Sequence, residues 1–172
     1  MESKSKVFGH AAHTILVVFP LGLLSAAAIF DAIALAAKDK EKKRKLRETS
    51  QHLLGAGILG GLVAAPFGTR DYLAIPDGTR AKRVGKAHGL GNVLALKLFA
   101  ASWFLRRGDA ANPPKSALVL SFSASALIGL TGWLGSEMVE RLGVGVDDGA
   151  HLNAPNSLSG RAAREHDTGE LL

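Results

Sequence analysis

Residues 14–30, TILVVFPLGLLSAAAIF, contain no charged side chain, and 31–37 add only Asp31 before the basic run KDKEKKRK at 38–45. A helix that crosses a hydrocarbon core about 30 Å thick needs roughly 20 mostly apolar residues, and about 17 at the least. The same pattern recurs three times further along. Residues 53–69, LLGAGILGGLVAAPFGT, are uncharged and stop at Arg70. Residues 87–105 carry only Lys97 and run into Arg106 and Arg107. Residues 116–136, SALVLSFSASALIGLTGWLGS, carry no charge and stop at Glu137. A soluble bundle of four helices apolar all round would have no polar outer face, so lipid is the consistent surrounding.

The spacing predicts helices close to 9–37, 50–73, 84–106 and 115–141, joined by short connections that make sequence neighbours antiparallel. The expected fold is therefore all-α, an integral membrane antiparallel four-helix bundle with no sheet. Residues 1–146 form the four-span domain. The stretch 147–172, rich in Asp, Gly, Asn, Ser and Arg and without apolar periodicity, reads as a solvated, flexible tail. The first span is no cleavable signal peptide, because it runs straight into a basic loop and lacks a small-residue cleavage site.

Composition narrows the chemistry. The chain has 172 residues, enough for one domain, and no cysteine, which removes disulfides, thiolate metal sites, iron–sulfur clusters and a cysteine nucleophile. Six histidines and fifteen acids remain as ligands or acid–base groups. The net charge of +6 comes mostly from lysines and arginines that bracket the spans, without the interleaved aromatics or motifs of a nucleic-acid binder. No Ser–His–Asp arrangement, phosphate loop or HExxH pattern is present, so the sequence carries no enzyme signature.

Four spans put both termini on one side. The opposite side, 38–50 and 106–115, holds ten Lys or Arg near span ends, against eight on the terminal side. The positive-inside rule then points the termini away from the cytoplasm by a narrow margin. Tyr72, Trp103 and Trp133 fit an interfacial aromatic belt. Small residues fall in stripes: Gly57, Gly61, Ala64 and Gly68 on the second span, and Ser121, Ser125, Gly129, Gly132 and Ser136 on the fourth. Such stripes let helices approach closely, or make room for a flat cofactor.

Three histidines start spans on the terminal side: His10 and His13 on the first, His88 on the third. These helices run in the same direction, so the three imidazoles are expected to converge at one end of the bundle, with Asn92 one turn below His88 on its face. Two imidazoles at matched depth can ligate a haem iron axially, and three can hold a metal ion. The plainer alternative is interfacial histidines hydrogen-bonded to water, headgroups or backbone. Asp31 lies eighteen residues after His13 on the same face. An acid within a span is normally paired or functional. Lys97 is out of phase with His88 and is expected to snorkel towards Arg106 rather than pair with Asp31. Arg70 and Asp71 could pair with Glu137 or Arg80 in a structural network.

HAAHTILVVFPLG at 10–22, AAPFGTRDYLAIPDGTRAKR at 64–83, KAHGLGNVLAL at 86–96 and GLTGWLGSEMVERLGVGV at 129–146 resemble the bacterial predicted-membrane-protein family catalogued as domain of unknown function 2231. The resemblance covers about 7–146. The family's opening pattern places a proline after each of two histidines, where this chain has Ala11 and Thr14; Pro20, His88 and Asn92 follow the family's style. The resemblance implies a four-span domain of the bacterial inner membrane, joined in some relatives to Rieske or cytochrome-type redox modules, and no established activity.

Two functions compete. One is a redox-linked membrane module holding b-type haem, or a metal ion, through His13 and His88 with His10 as alternate ligand, and passing electrons to a redox partner. The other is a non-enzymatic accessory or scaffold subunit of a membrane complex. A transporter or proton path through Asp31 would call for broken-helix repeats, which the spans do not display.

Overall fold

The structure is a computed structural model and describes residues 1–166. Helix α1 (Ala12–Leu16) and α2 (Val18–Ala36) form one rod with an irregularity at Val17. Pro20 explains it, since proline offers no N–H to the carbonyl of Leu16. Helices α3 (Lys40–Leu73), α4 (Arg80–Leu105) and α5 (Lys115–Ser136) follow, and α5 runs on through a π-helical turn at Glu137–Arg141. Helix α2 packs mainly on α3 and α4 on α5, while α3–α4 and α2–α5 contacts close the ring. The bundle is thus two antiparallel hairpins laid against each other.

Three observations correct the sequence expectations in detail. Helix α3 begins at 40, ten residues earlier than expected, because the charged run is helical. Asp39 caps it by accepting from the Lys42 N–H at 2.7 Å, and Arg44 bridges Glu41 and Glu48 at 2.7 Å each, one turn either way. Such i,i+3 and i,i+4 pairs let an exposed, highly charged segment stay helical. At about 1.5 Å per residue, α3 is longer than a hydrocarbon core is thick and projects beyond it. Secondly, a minimal hairpin precedes α1: Lys6–Val7 (β1) pairs antiparallel with His10–Ala11 (β2). Phe8 at φ 48° and Gly9 at φ 80° make its two-residue turn, a conformation that hairpins favour because its twist matches the strands. Thirdly, α4 starts at Arg80, capped by Thr79, whose hydroxyl accepts from the Lys82 N–H at 3.1 Å.

Among the described residues three helical stretches, Ala12–Ala36, Lys40–Leu73 and Lys115–Arg141, are long and apolar enough to cross a membrane. Helix α4, expected as the remaining span, is not among them, since His88, Asn92 and Lys97 dilute its apolar content. It belongs to the same bundle all the same, and its outer face (Leu90, Val93, Leu94, Phe104) is as apolar and exposed as those of its neighbours.

Large apolar side chains face outward, and the centre is built from small or polar ones around Leu24, Leu54 and Phe99. The stripe of α3 behaves as expected: a side chain on Gly57 would strike Leu24 at 2.7 Å, and one on Gly61 would strike Leu96 at 2.7 Å. Close helix approach is what this stripe provides. The stripe expected on α5 drifts out of phase, for Gly129, Gly132 and Ser136 face outward. Its packed face is Ala117, Ser121, Ala124 and Thr131.

Candidate functional site: a histidine pair and a buried ion pair

His13 sits on α1 and His88 near the start of α4, and their rings lie 6.4 Å apart, centre to centre, at 86°. Each imidazole is tied through Nδ1 to a carbonyl of the other helix in its own hairpin. His13 donates to Ala64 at 3.1 Å, and His88 donates to Thr131 at 2.8 Å. A carbonyl can only accept, so in both rings Nδ1 carries the proton and Nε2 holds the lone pair in the neutral form. Each ring also rests on a glycine one turn beyond that carbonyl. A Cβ on Gly68 would come within 2.8 Å of the His13 ring, and one on Gly135 within 3.2 Å of the His88 ring.

The two rings differ at Nε2. Thr131 donates its hydroxyl to Asn92 Oδ1 at 2.7 Å, and the Asn92 amide donates to His88 Nε2 at 3.0 Å. With the Thr131 carbonyl this closes a ring of hydrogen bonds around His88. Thr131, absent from the sequence-based candidates, is therefore a member of the site, and its spacing gave no sign of it.

His10 does not join them. It lies on β2, exposed, with Nε2 3.2 Å from Ser157 Oγ. The unexpected hairpin is the reason: residue 10 precedes the helix, so three-residue helical spacing to His13 no longer holds. Among the described residues no three His, Asp or Glu side chains gather as a metal-ligand group, so the expected convergence of His10, His13 and His88 reduces to a pair.

At the other end of the bundle Asp31 meets Arg106, not Lys97. The guanidinium donates to both carboxylate oxygens, at 3.0 and 2.7 Å, and both side chains are fully buried. Arg106 also donates to Ser50 Oγ at 3.3 Å and Ser102 Oγ at 3.2 Å. Those hydroxyls donate in turn to Ala27 and Ala117 carbonyls, at 3.0 and 2.7 Å. Lys97 is exposed, as its phase predicts. Arg106 read as a flanking charge; it instead ends α4 turned inward, because a buried Asp31 demands a partner.

Asp71 and Glu137 hold other parts of the chain together. Asp71 accepts from Ser3 Oγ at 2.8 Å and the Lys4 N–H at 2.7 Å, which fastens the amino-terminal strap over the end of the bundle that holds the histidines. Glu137 and Arg80, each expected as a partner for Arg70 or Asp71, pair instead with each other at 2.6 Å. Arg70 is exposed. Lys6 reaches Asp147 at 2.6 Å, so the chain beyond the bundle returns to the strap.

Residues 9–148 match the family described as predicted membrane protein (DUF2231), and the chain belongs to that family. No curated protein and no solved structure matches it.

Proposed function

We propose that the chain is a membrane redox module that holds a b-type haem between His13 and His88. The observation that carries this reading is the spacing of the pair. One metal with two metal–nitrogen bonds of about 2 Å, plus half an imidazole at either end, spans roughly 6–7 Å between ring centres, and the rings stand 6.4 Å apart. The donor chemistry fits as well. Nδ1–H donated to a backbone carbonyl fixes tautomer and orientation and presents Nε2, the usual outer-shell arrangement of ligating histidines. A bis-histidine haem would supply one-electron transfer within the membrane.

The chain's own residues set the terms. Ala64 and Thr131 carbonyls hold the rings, and Gly68 and Gly135 give them room. Asn92 competes for His88 Nε2, and its amide must turn away before that nitrogen can ligate. In this reading α4 crosses the membrane beside the three more apolar helices. The membrane is the bacterial inner membrane, the termini and histidine pair lie on its extracytoplasmic side, and the electrons go to a redox protein docked there.

The accessory-subunit reading has its own support. The α3 stripe that could have opened a slot is filled by Leu24, Leu96 and the His13 ring, so the histidines also serve as staples between helices. Protein expressed with ample haem and purified in mild detergent separates the two. The redox reading expects a sharp visible band on reduction, lost in His13→Ala and in His88→Ala while helical content is kept. Colourless protein from haem-replete cells leaves the accessory role.

A further inference from the structure

The two hairpins make the same contacts in the same order. His13 and His88 stand 75 positions apart, and so do Asp31 and Arg106. Position 64 corresponds to 131, and 68 to 135, at a shift of 67, because the turn into α5 falls earlier in the second half. With those two shifts the contacts coincide. His13 binds the Ala64 carbonyl and packs on Gly68; His88 binds the Thr131 carbonyl and packs on Gly135. Ser50 on α3 donates to Ala27 on α2; at the matching positions Ser102 on α4 donates to Ala117 on α5, with donor and acceptor exchanged. Leu24 lies against Gly57, and their counterparts Phe99 and Ala124 belong to the same buried cluster.

From these matches we infer that residues 12–73 and 80–141 are two copies of one helical hairpin, facing each other about a two-fold axis along the bundle. Two pairs of equivalent positions touch across that axis: His13 with His88 at one end, Asp31 with Arg106 at the other. Each hairpin is thus the other's binding partner, and the unlike charges make the pairing selective. Like hairpins would bury two carboxylates or two guanidiniums against each other, which costs far more than an ion pair. The histidine site takes one imidazole from each copy. The repeat holds whatever those imidazoles bind, and its test uses no cofactor.

The test exchanges the charges in the full chain: Asp31→Arg, Arg106→Asp, and both together. Each single variant buries two like charges on the axis and should lower the melting temperature in detergent, with loss of monodisperse protein. In a two-fold structure the double exchange restores the pair in mirrored orientation and recovers most of the loss. Adding Ala27→Ser and Ala117→Ser gives the moved guanidinium the hydroxyls it had from Ser102 and Ser50, and should recover more. A double variant as unstable as the worse single one overturns the inference. Because the chain has no cysteine, a second measurement stands beside it. Disulfides at 27/50 and at 102/117 should both form with equal ease, and formation of only one would equally overturn the repeat.

Discussion

Removing one member of the Asp31–Arg106 pair should strongly destabilise the bundle. Asp31→Leu leaves a guanidinium at zero exposure with only Ser50 and Ser102 hydroxyls as partners; Arg106→Met leaves a carboxylate at zero exposure. Breaking a buried pair from one side costs about 3–5 kcal/mol, because the stranded charge keeps its desolvation penalty. Against a typical total stability of about 5–15 kcal/mol, that is roughly a fifth or more. The double variant Asp31→Leu/Arg106→Met strands nothing. Ser50 and Ser102 still donate to the Ala27 and Ala117 carbonyls, so no hydroxyl is orphaned, and apolar replacement of a buried pair is commonly neutral or stabilising. The expected cycle has two large losses and a double variant within about 1 kcal/mol of the parent, or above it. Reversible unfolding in detergent micelles, followed by helical circular dichroism, measures all four corners. Single losses below about 1 kcal/mol, the range of solvent-exposed pairs, would refute the reasoning. So would a double variant that loses the sum of the two.

Gly68→Ala should destabilise by about 1–3 kcal/mol, as overpacking does, because its Cβ would sit 2.8 Å from the His13 ring. Gly135→Ala, at 3.2 Å from His88, should cost less, and melting curves of the two rank them. Asp71→Ala should free the strap from Ser3 and Lys4; faster proteolysis within residues 1–11, at an unchanged bundle melting temperature, would show it. The Glu2 carboxyl is held below its ordinary value by hydrogen bonds from the Lys6 ammonium and the Asp148 N–H. Its contribution is therefore present above the unfolded value of 4.5 and disappears as pH falls through the lower folded value. Hydrogen exchange of the strap should speed up on that acid side only.

The architecture was legible because lipid imposes a simple rule: charge gaps of helix-spanning length must be helices, and short connections must make them antiparallel. Individual residues were legible where one helix's periodicity decided them. Gly57, Gly61, Ala64 and Gly68 share a packed face, and His13 and His88 start parallel helices and meet. Reading failed where a residue's state depends on another element. His10 left the helical register because Phe8 and Gly9 turn the chain into a hairpin. The charged run 40–49 became helix through a cap and side-chain pairs that composition does not display. The repeat is hard to read because its halves align only with two different shifts, and the identities beyond the histidines and Gly68/Gly135 are Ala, Val and Leu, common in any span; the contacts reveal it.

By itself, then, the sequence determined the membrane class, the helix count, the parallel direction of the first and third helices, and the matched depth of His13 and His88. These follow from local hydrophobicity and the fixed rise of a helix, which need no knowledge of neighbours. Tertiary structure decided which charge answers Asp31, which carbonyls orient the imidazoles, and that Asn92 and Thr131 close around one histidine and not the other. Those outcomes depend on the rotation of each helix about its axis, and that rotation is set by how small residues on separate helices fit together.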